Sequence, residues 1–150
     1  MFDWLKKRRA YNLGQQAAEI ITEEIDRYMA QRVIPAARRF VGVFDETLTR
    51  LWDEPPSPPN PASRLQFEYV DFSDNLKNFK DKMRAELTVK LYKFDNFLDS
   101  GESSRQSVDL YIMNNLDTLI SAMLDEVEAK VTKAYAEIQR IESEKAKILQ

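Results

Sequence analysis

Between Val108 and Ile148 one stripe of positions returns every third or fourth residue without a break. Its members are Val108, Ile112, Leu116, Leu119, Met123, Val127, Val131, Ala134, Ile138, Ile141, Lys145 and Ile148. Only an α-helix, at 3.6 residues per turn, gathers such a series on one face. A half-buried strand would alternate instead. Two further segments carry the same spacing. One runs Ile21, Ile25, Met29, Val33, Ala36, Phe40, Phe44, Leu48, Leu51, and the other Leu65, Tyr69, Phe72, Leu76, Phe79, Met83, Leu87, Leu91, Phe94, Leu98. The stretch Leu65, Phe67, Tyr69 alternates as a strand would, but nothing close in sequence would pair with it. Glycine supports the helical reading, because sheet proteins spend it on turns and bulges and this chain has three.

Proline sets the divisions. Pro55, Pro56, Pro58, Pro59 and Pro61 fall within seven positions. Each lacks an N–H and pushes the preceding residue out of helical geometry, so this stretch reads as a stiff extended connector. Gly101 suits the C-cap of a second break at 99–103. Asn12 with Gln15, Ser63 with Gln66, and Ser103 with Gln106 each have capping-box spacing. The expected organisation is a basic, aromatic segment 1–11 followed by one helical domain 12–150. Its helices span about 12–52, 64–99 and 104–149, with a proline-rich connector 53–62. Pro35 predicts a kink or short break near 31–35, so the first helix is kinked or split. The expected fold is all-α: an elongated antiparallel bundle of three long helices, or four if the first divides, with a coiled-coil-like C-terminal extension. Leu110, Tyr111, Met113, Ile120 and Leu124 widen the apolar surface of the third helix's first half. Glu86 with Lys90, and Glu126 with Lys130, have the favourable acid-first i,i+4 order.

Composition excludes much chemistry. Histidine and cysteine are both absent. That removes disulfides, thiol nucleophiles, His- or Cys-ligated zinc and every histidine acid or base. No glycine-rich phosphate loop or G-x-S-x-G elbow occurs. The net charge of −3 disfavours nucleic acid as a partner. No apolar run reaches the roughly 18–20 residues of a membrane span. The basic block at 6–9 follows the aromatics and no apolar core follows it, unlike a secretory signal. The expected address is cytoplasmic, with the inner face of a membrane as a further place of residence. No cofactor is expected.

Three constellations remain. Phe2, Trp4 and Leu5 stand beside Lys6, Lys7, Arg8 and Arg9. Trp suits the headgroup region, and each nearby cation gains roughly 1 kcal/mol at an anionic surface, so this segment reads as a weak surface anchor. Four cations at the start of a helix would oppose its macrodipole, which argues against a stabilising role there. Packing of Trp4 and Leu5 on the bundle is the bland alternative. Second, Val131, Ala134, Ile138, Ile141, Lys145 and Ile148 form a narrow seam with Val131, Ile138 and Lys145 at heptad position a. A lysine at a trades stability for register in a two-stranded coil, so the seam reads as a homodimer or partner-helix surface. Packing within the chain is the alternative. Third, Glu19, Glu23 and Asp26 on the first helix and Asp125 and Glu128 on the third have helical spacing. Were those faces to meet, their oxygens would hold Mg²⁺ as in an all-helical phosphohydrolase, but solvated helix faces are the simpler explanation. The proline connector contains a P-x-x-P spacing that a partner's aromatic groove would accept, and a plain spacer is the alternative. Phenylalanine and tryptophan are numerous; they predict an aromatic seam between the first two helices, and any exposed ring would mark a partner surface. The leading expectation is therefore a non-catalytic interaction or scaffolding module.

Overall fold

A computed structural model describes residues 18–53, 60–95 and 102–149. The Phe2–Arg9 segment, the Asn12 cap, the connector prolines 55–59 and Gly101 lie outside the described residues, as does the Ser103 side chain. The described residues are almost wholly helical and contain no strand. We name the helices α1 (18–53), α2 (Pro61–Lys90, continued by a 3₁₀ turn Leu91–Phe94) and α3 (Glu102–Ile148).

Pro35 does not break α1. The turn before it, Met29–Val33, widens into a π-helix, and the Ile34 N–H reaches back to the Met29 carbonyl. A proline at 35 has no N–H for the Gln31 carbonyl, and its ring would press on that oxygen in a regular α-turn. One additional residue in the turn relieves the conflict. It also corrects the expected face. A residue advances about 100° in an α-helix, so the added residue delays everything after it by that angle. Ala37 and Val41 are fully buried, whereas Ala36 and Phe40 are only half-buried.

The start of α2 is also corrected. Asn60, not Ser63, is the cap: its Oδ1 accepts the Ser63 N–H at 2.9 Å, and its carbonyl accepts the Arg64 N–H at 3.0 Å. Pro61 then occupies the first helical position, where no N–H is needed.

Packing resolves into two compact units, 1–35 with 80–118 and 36–79 with 119–150. In the first, Ile21, Ile25, Met29 and Val33 of α1 are buried, as are Met83, Leu87 and Leu91 after them and Ile112 and Leu116 of α3. Polar contacts ring this core. Lys93 reaches Glu24 at 3.0 Å, the Tyr111 hydroxyl donates to Asp26 at 2.5 Å, and Lys80 pairs with Asp117. The Tyr28 hydroxyl donates to Glu86, which also faces Arg32 at 3.7 Å. Lys90 does not take Glu86 as the i,i+4 rule anticipates. It lies 4.0 Å from Glu24 and 5.0 Å above the Tyr28 ring.

In the second unit the buried residues are Ala37, Val41 and Phe44, then Leu65, Phe72, Leu76 and Phe79, then Ile120 to Ile138 at helical spacing. Phe40 meets Phe79 with ring centroids 5.1 Å apart, and Phe44 meets Phe72 at 5.4 Å, both tilted. This is the aromatic seam between α1 and α2. Arg38 grips Glu126 with a 2.5 Å bond, and Lys130 bonds Asp45 at 2.6 Å while lying 3.8 Å from Glu126. Among the described residues no polar or charged side chain is buried.

Candidate interaction surface

The α3 stripe leaves its cover in the second unit. Val131, Ala134 and Ile138 are buried within the chain, Ile141 is half-buried, and Lys145 is exposed. Ile148 is 83% exposed and Leu149 even more so. The Tyr135 hydroxyl, 2.9 Å from Gln66 Oε1, ties α3 to the first turns of α2. The helix continues for more than two turns beyond Ile138, so its sequence spacing outlasts its packing among the described residues. Arg140 holds Glu137 at 2.5 Å and Glu144 at 2.7 Å along this stretch, keeping the Glu137 carboxyl below its usual range. These are surface pairs that favour helix locally and contribute little else.

Beside the stripe lies a groove of about 350 Å³, lined by Leu48 and Trp52 of α1 and Lys130, Lys133, Ala134 and Glu137 of α3. Ala134 occupies a stripe position where a larger side chain would fill the space, and Leu48 and Trp52 stand one turn apart above it. Trp52 is 42% exposed. Around the rim, Lys130 is neutralised by Asp45, and Glu137 by Arg140. Lys133 is exposed and has no acidic partner among the described residues. Among the described residues, the groove therefore combines an apolar floor with one positive charge that no acidic side chain there compensates.

An apolar patch of the same unit lies on α2. Phe67 is 67% and Val70 46% exposed, on the side of the helix away from Leu65, Phe72 and Leu76. Asp71 and Asp74 share that outward face at helical spacing, and Arg64 stands one turn before Phe67. In the first unit a smaller cleft of about 180 Å³ is lined by mixed groups including Tyr92, Asp95, Arg105 and Asp109.

The five carboxylates considered for metal do not converge. Glu19, Glu23, Asp26, Asp125 and Glu128 are all exposed, and no group of three or more acidic side chains gathers among the described residues. Asp26 is engaged by Tyr111, whose hydroxyl it holds above its usual pKa. No helix of the described residues is long and apolar enough to cross a membrane.

Sequence reasoning singled out the α3 seam and held that any exposed aromatic ring would mark a partner surface, but it did not pick Phe67 and Trp52 as the exposed ones and missed Lys133. Phe67 carried a usable signal, since it falls off the stripe Leu65, Tyr69, Phe72 and so had to face outward. Lys133 carried none, being one of many charged residues until Ala134 proved to be the floor of a groove. No family model, characterised protein or solved structure matches this chain.

Proposed function

We propose that this chain is a non-catalytic helical protein–protein interaction or scaffolding module, acting through exposed helix faces. The observation that carries this is the run of α3 beyond Ile138, where apolar spacing persists while cover fades among the described residues, with Ile141 half-buried and Ile148 exposed. A face of this kind loses free energy while wet and regains it when a second helix covers it. The coiled-coil spacing of Ile138, Ile141, Lys145 and Ile148 fits a partner helix or a second copy.

The supporting frame is an antiparallel three-helix bundle. Within the second unit, α1–α2 contacts run in opposite chain directions, Phe40 with Phe79 and Phe44 with Phe72. The α1–α3 contacts there run in the same direction, Arg38 with Glu126 and Asp45 with Lys130. Both orders favour up-down-up topology. The basic, aromatic segment Phe2–Arg9 adds weak attraction to an anionic membrane surface, which association of copies would strengthen by avidity. A cytoplasmic protein working at the inner face of a membrane would use both features.

Light scattering on the intact chain and on a chain ending at Ile138 tests the reading. A complex of the intact chain that the truncation abolishes supports it. An equal mass for both chains, with no helical partner lost on truncation in a cross-linking comparison, refutes the seam. For the membrane contact, sedimentation with anionic vesicles should fall when Trp4 and Lys6 to Arg9 are neutralised; unchanged pelleting refutes it.

A further inference from the structure

We propose that the groove between α1 and α3 receives the outward face of α2 from a second copy of this chain, with Phe67 entering beside Trp52. The inference rests on reading the chain as an interaction module, and it concerns a surface separate from the stretch beyond Ile138. Three observations carry it. First, the groove is apolar at its floor and about 350 Å³ in volume, ample for one aromatic ring. Second, the charges are complementary. Lys133 stands on the rim without an acidic partner among the described residues, while Asp71 and Asp74 flank the exposed Phe67 and Val70. Third, Phe67 is a large ring two-thirds exposed on a helix that buries Phe72 and Phe79. An exposed ring beside carboxylates is the anchor-and-rim pattern of an interface centre.

The directions of the two surfaces decide the kind of assembly. Among the described residues the groove is lined by α1 and α3, and Phe67 lies on the side of α2 away from the core it shares with them. A copy that receives Phe67 in its groove therefore still presents its own Phe67 on another side. The contact is heterologous, so it propagates instead of closing into a symmetric pair. Anchored by one ring and a few charges, it belongs with weak, concentration-dependent contacts.

Sedimentation velocity on the full chain, from about 10 µM to about 1 mM, tests the proposal in a range suited to a weak contact. The mean sedimentation coefficient should rise steadily with concentration. Phe67→Ser removes the anchor and Lys133→Glu places an acid against Asp71 and Asp74. Both residues are exposed, so neither variant disturbs the core, and each should weaken association at least about tenfold. Mixing the two variants gives the sharper result. Phe67→Ser keeps an intact groove and Lys133→Glu an intact patch, so the mixture should form pairs and nothing larger. Ile148→Asp, at the exposed end of α3 and three turns from the groove, should associate as the wild type does, which separates this contact from the seam. A wild type monomeric throughout, association indifferent to both variants, or a mixture that stays monomeric overturns the proposal. Loss of association in Ile148→Asp, with none in Phe67→Ser or Lys133→Glu, would leave the seam standing and remove this contact.

Discussion

Replacing Tyr28 by phenylalanine deletes one hydroxyl and keeps the ring, and so isolates the polar link between α1 and α2 in the first unit. The hydroxyl donates to Glu86. Partial burial, and then that bond to a carboxylate, push the Tyr28 pKa up to about 12. The same bond, helped by the Arg32 charge, holds the Glu86 carboxyl below its usual range. Hydrogen bonds to charged groups contribute roughly 1.5–3 kcal/mol. The Glu86 side chain is 35% exposed and keeps Arg32 at 3.7 Å, so water and the guanidinium recover part of the loss. The expected cost at pH 7 is about 1–1.5 kcal/mol after that discount for solvent. The Lys90 ammonium, 5.0 Å from the ring centroid, remains over phenylalanine and adds nothing to the difference. Urea unfolding followed by far-UV circular dichroism measures it. The pH dependence fixes the cause. A phenol whose pKa is raised on folding stabilises fully below its unfolded value of 10.0 and loses that contribution as pH climbs through about 12. The wild-type advantage should therefore narrow above pH 10. A carboxyl whose pKa is lowered on folding acts oppositely, and the advantage should also shrink as pH falls below about 4.3. Equal midpoints at pH 7, or a gap unchanged from neutral to strongly alkaline pH, would refute the assignment.

Two other substitutions probe local structure. At Gly42, an exposed position of α1, an added Cβ meets open space, so Gly42→Ala should raise stability by about 0.5–1 kcal/mol through the unfolded chain's lost freedom; a lower melting temperature would contradict the open surroundings. Asn60→Ala should cost about 1 kcal/mol in urea unfolding, whereas Ser63→Ala should change little, and the reverse order would restore Ser63 as the cap.

What the sequence revealed depended on how local each cause was. The α2 stripe from Leu65 to Leu91 is buried nearly as spacing alone requires, because an uninterrupted helix has one phase. In α1 the same reasoning held at Phe44 but missed at Ala36 and Phe40. The stripe Ala36, Phe40 assumed regular turns, and the π-turn ahead of Pro35 shifted the inward face to Ala37 and Val41. Proline advertised a disturbance there but not whether the chain would bend or add a residue. Asn60-Pro61 was fully legible as a cap followed by a first helical position, and the nearby Ser63–Gln66 spacing obscured it. At the candidate surface, the seam beyond Ile138 was legible as pattern but not as exposure, since exposure depends on where α1 and α2 stop. The groove could not be read at all: it needs Leu48, Trp52 and Ala134 brought together from positions far apart in the chain.

The wide turn at Met29–Val33 acts as a dislocation in an otherwise periodic lattice, one surplus residue absorbed without surplus rotation. Its removal therefore differs from any other deletion in α1. With Pro35 replaced and one residue taken from this turn, a regular helix would still present Ala37, Val41 and Phe44 inward. A deletion anywhere later in the helix would turn the remaining residues by about 100° and bring the wrong side chains to the core. The helix thus contains a single place where its length can change while its register does not.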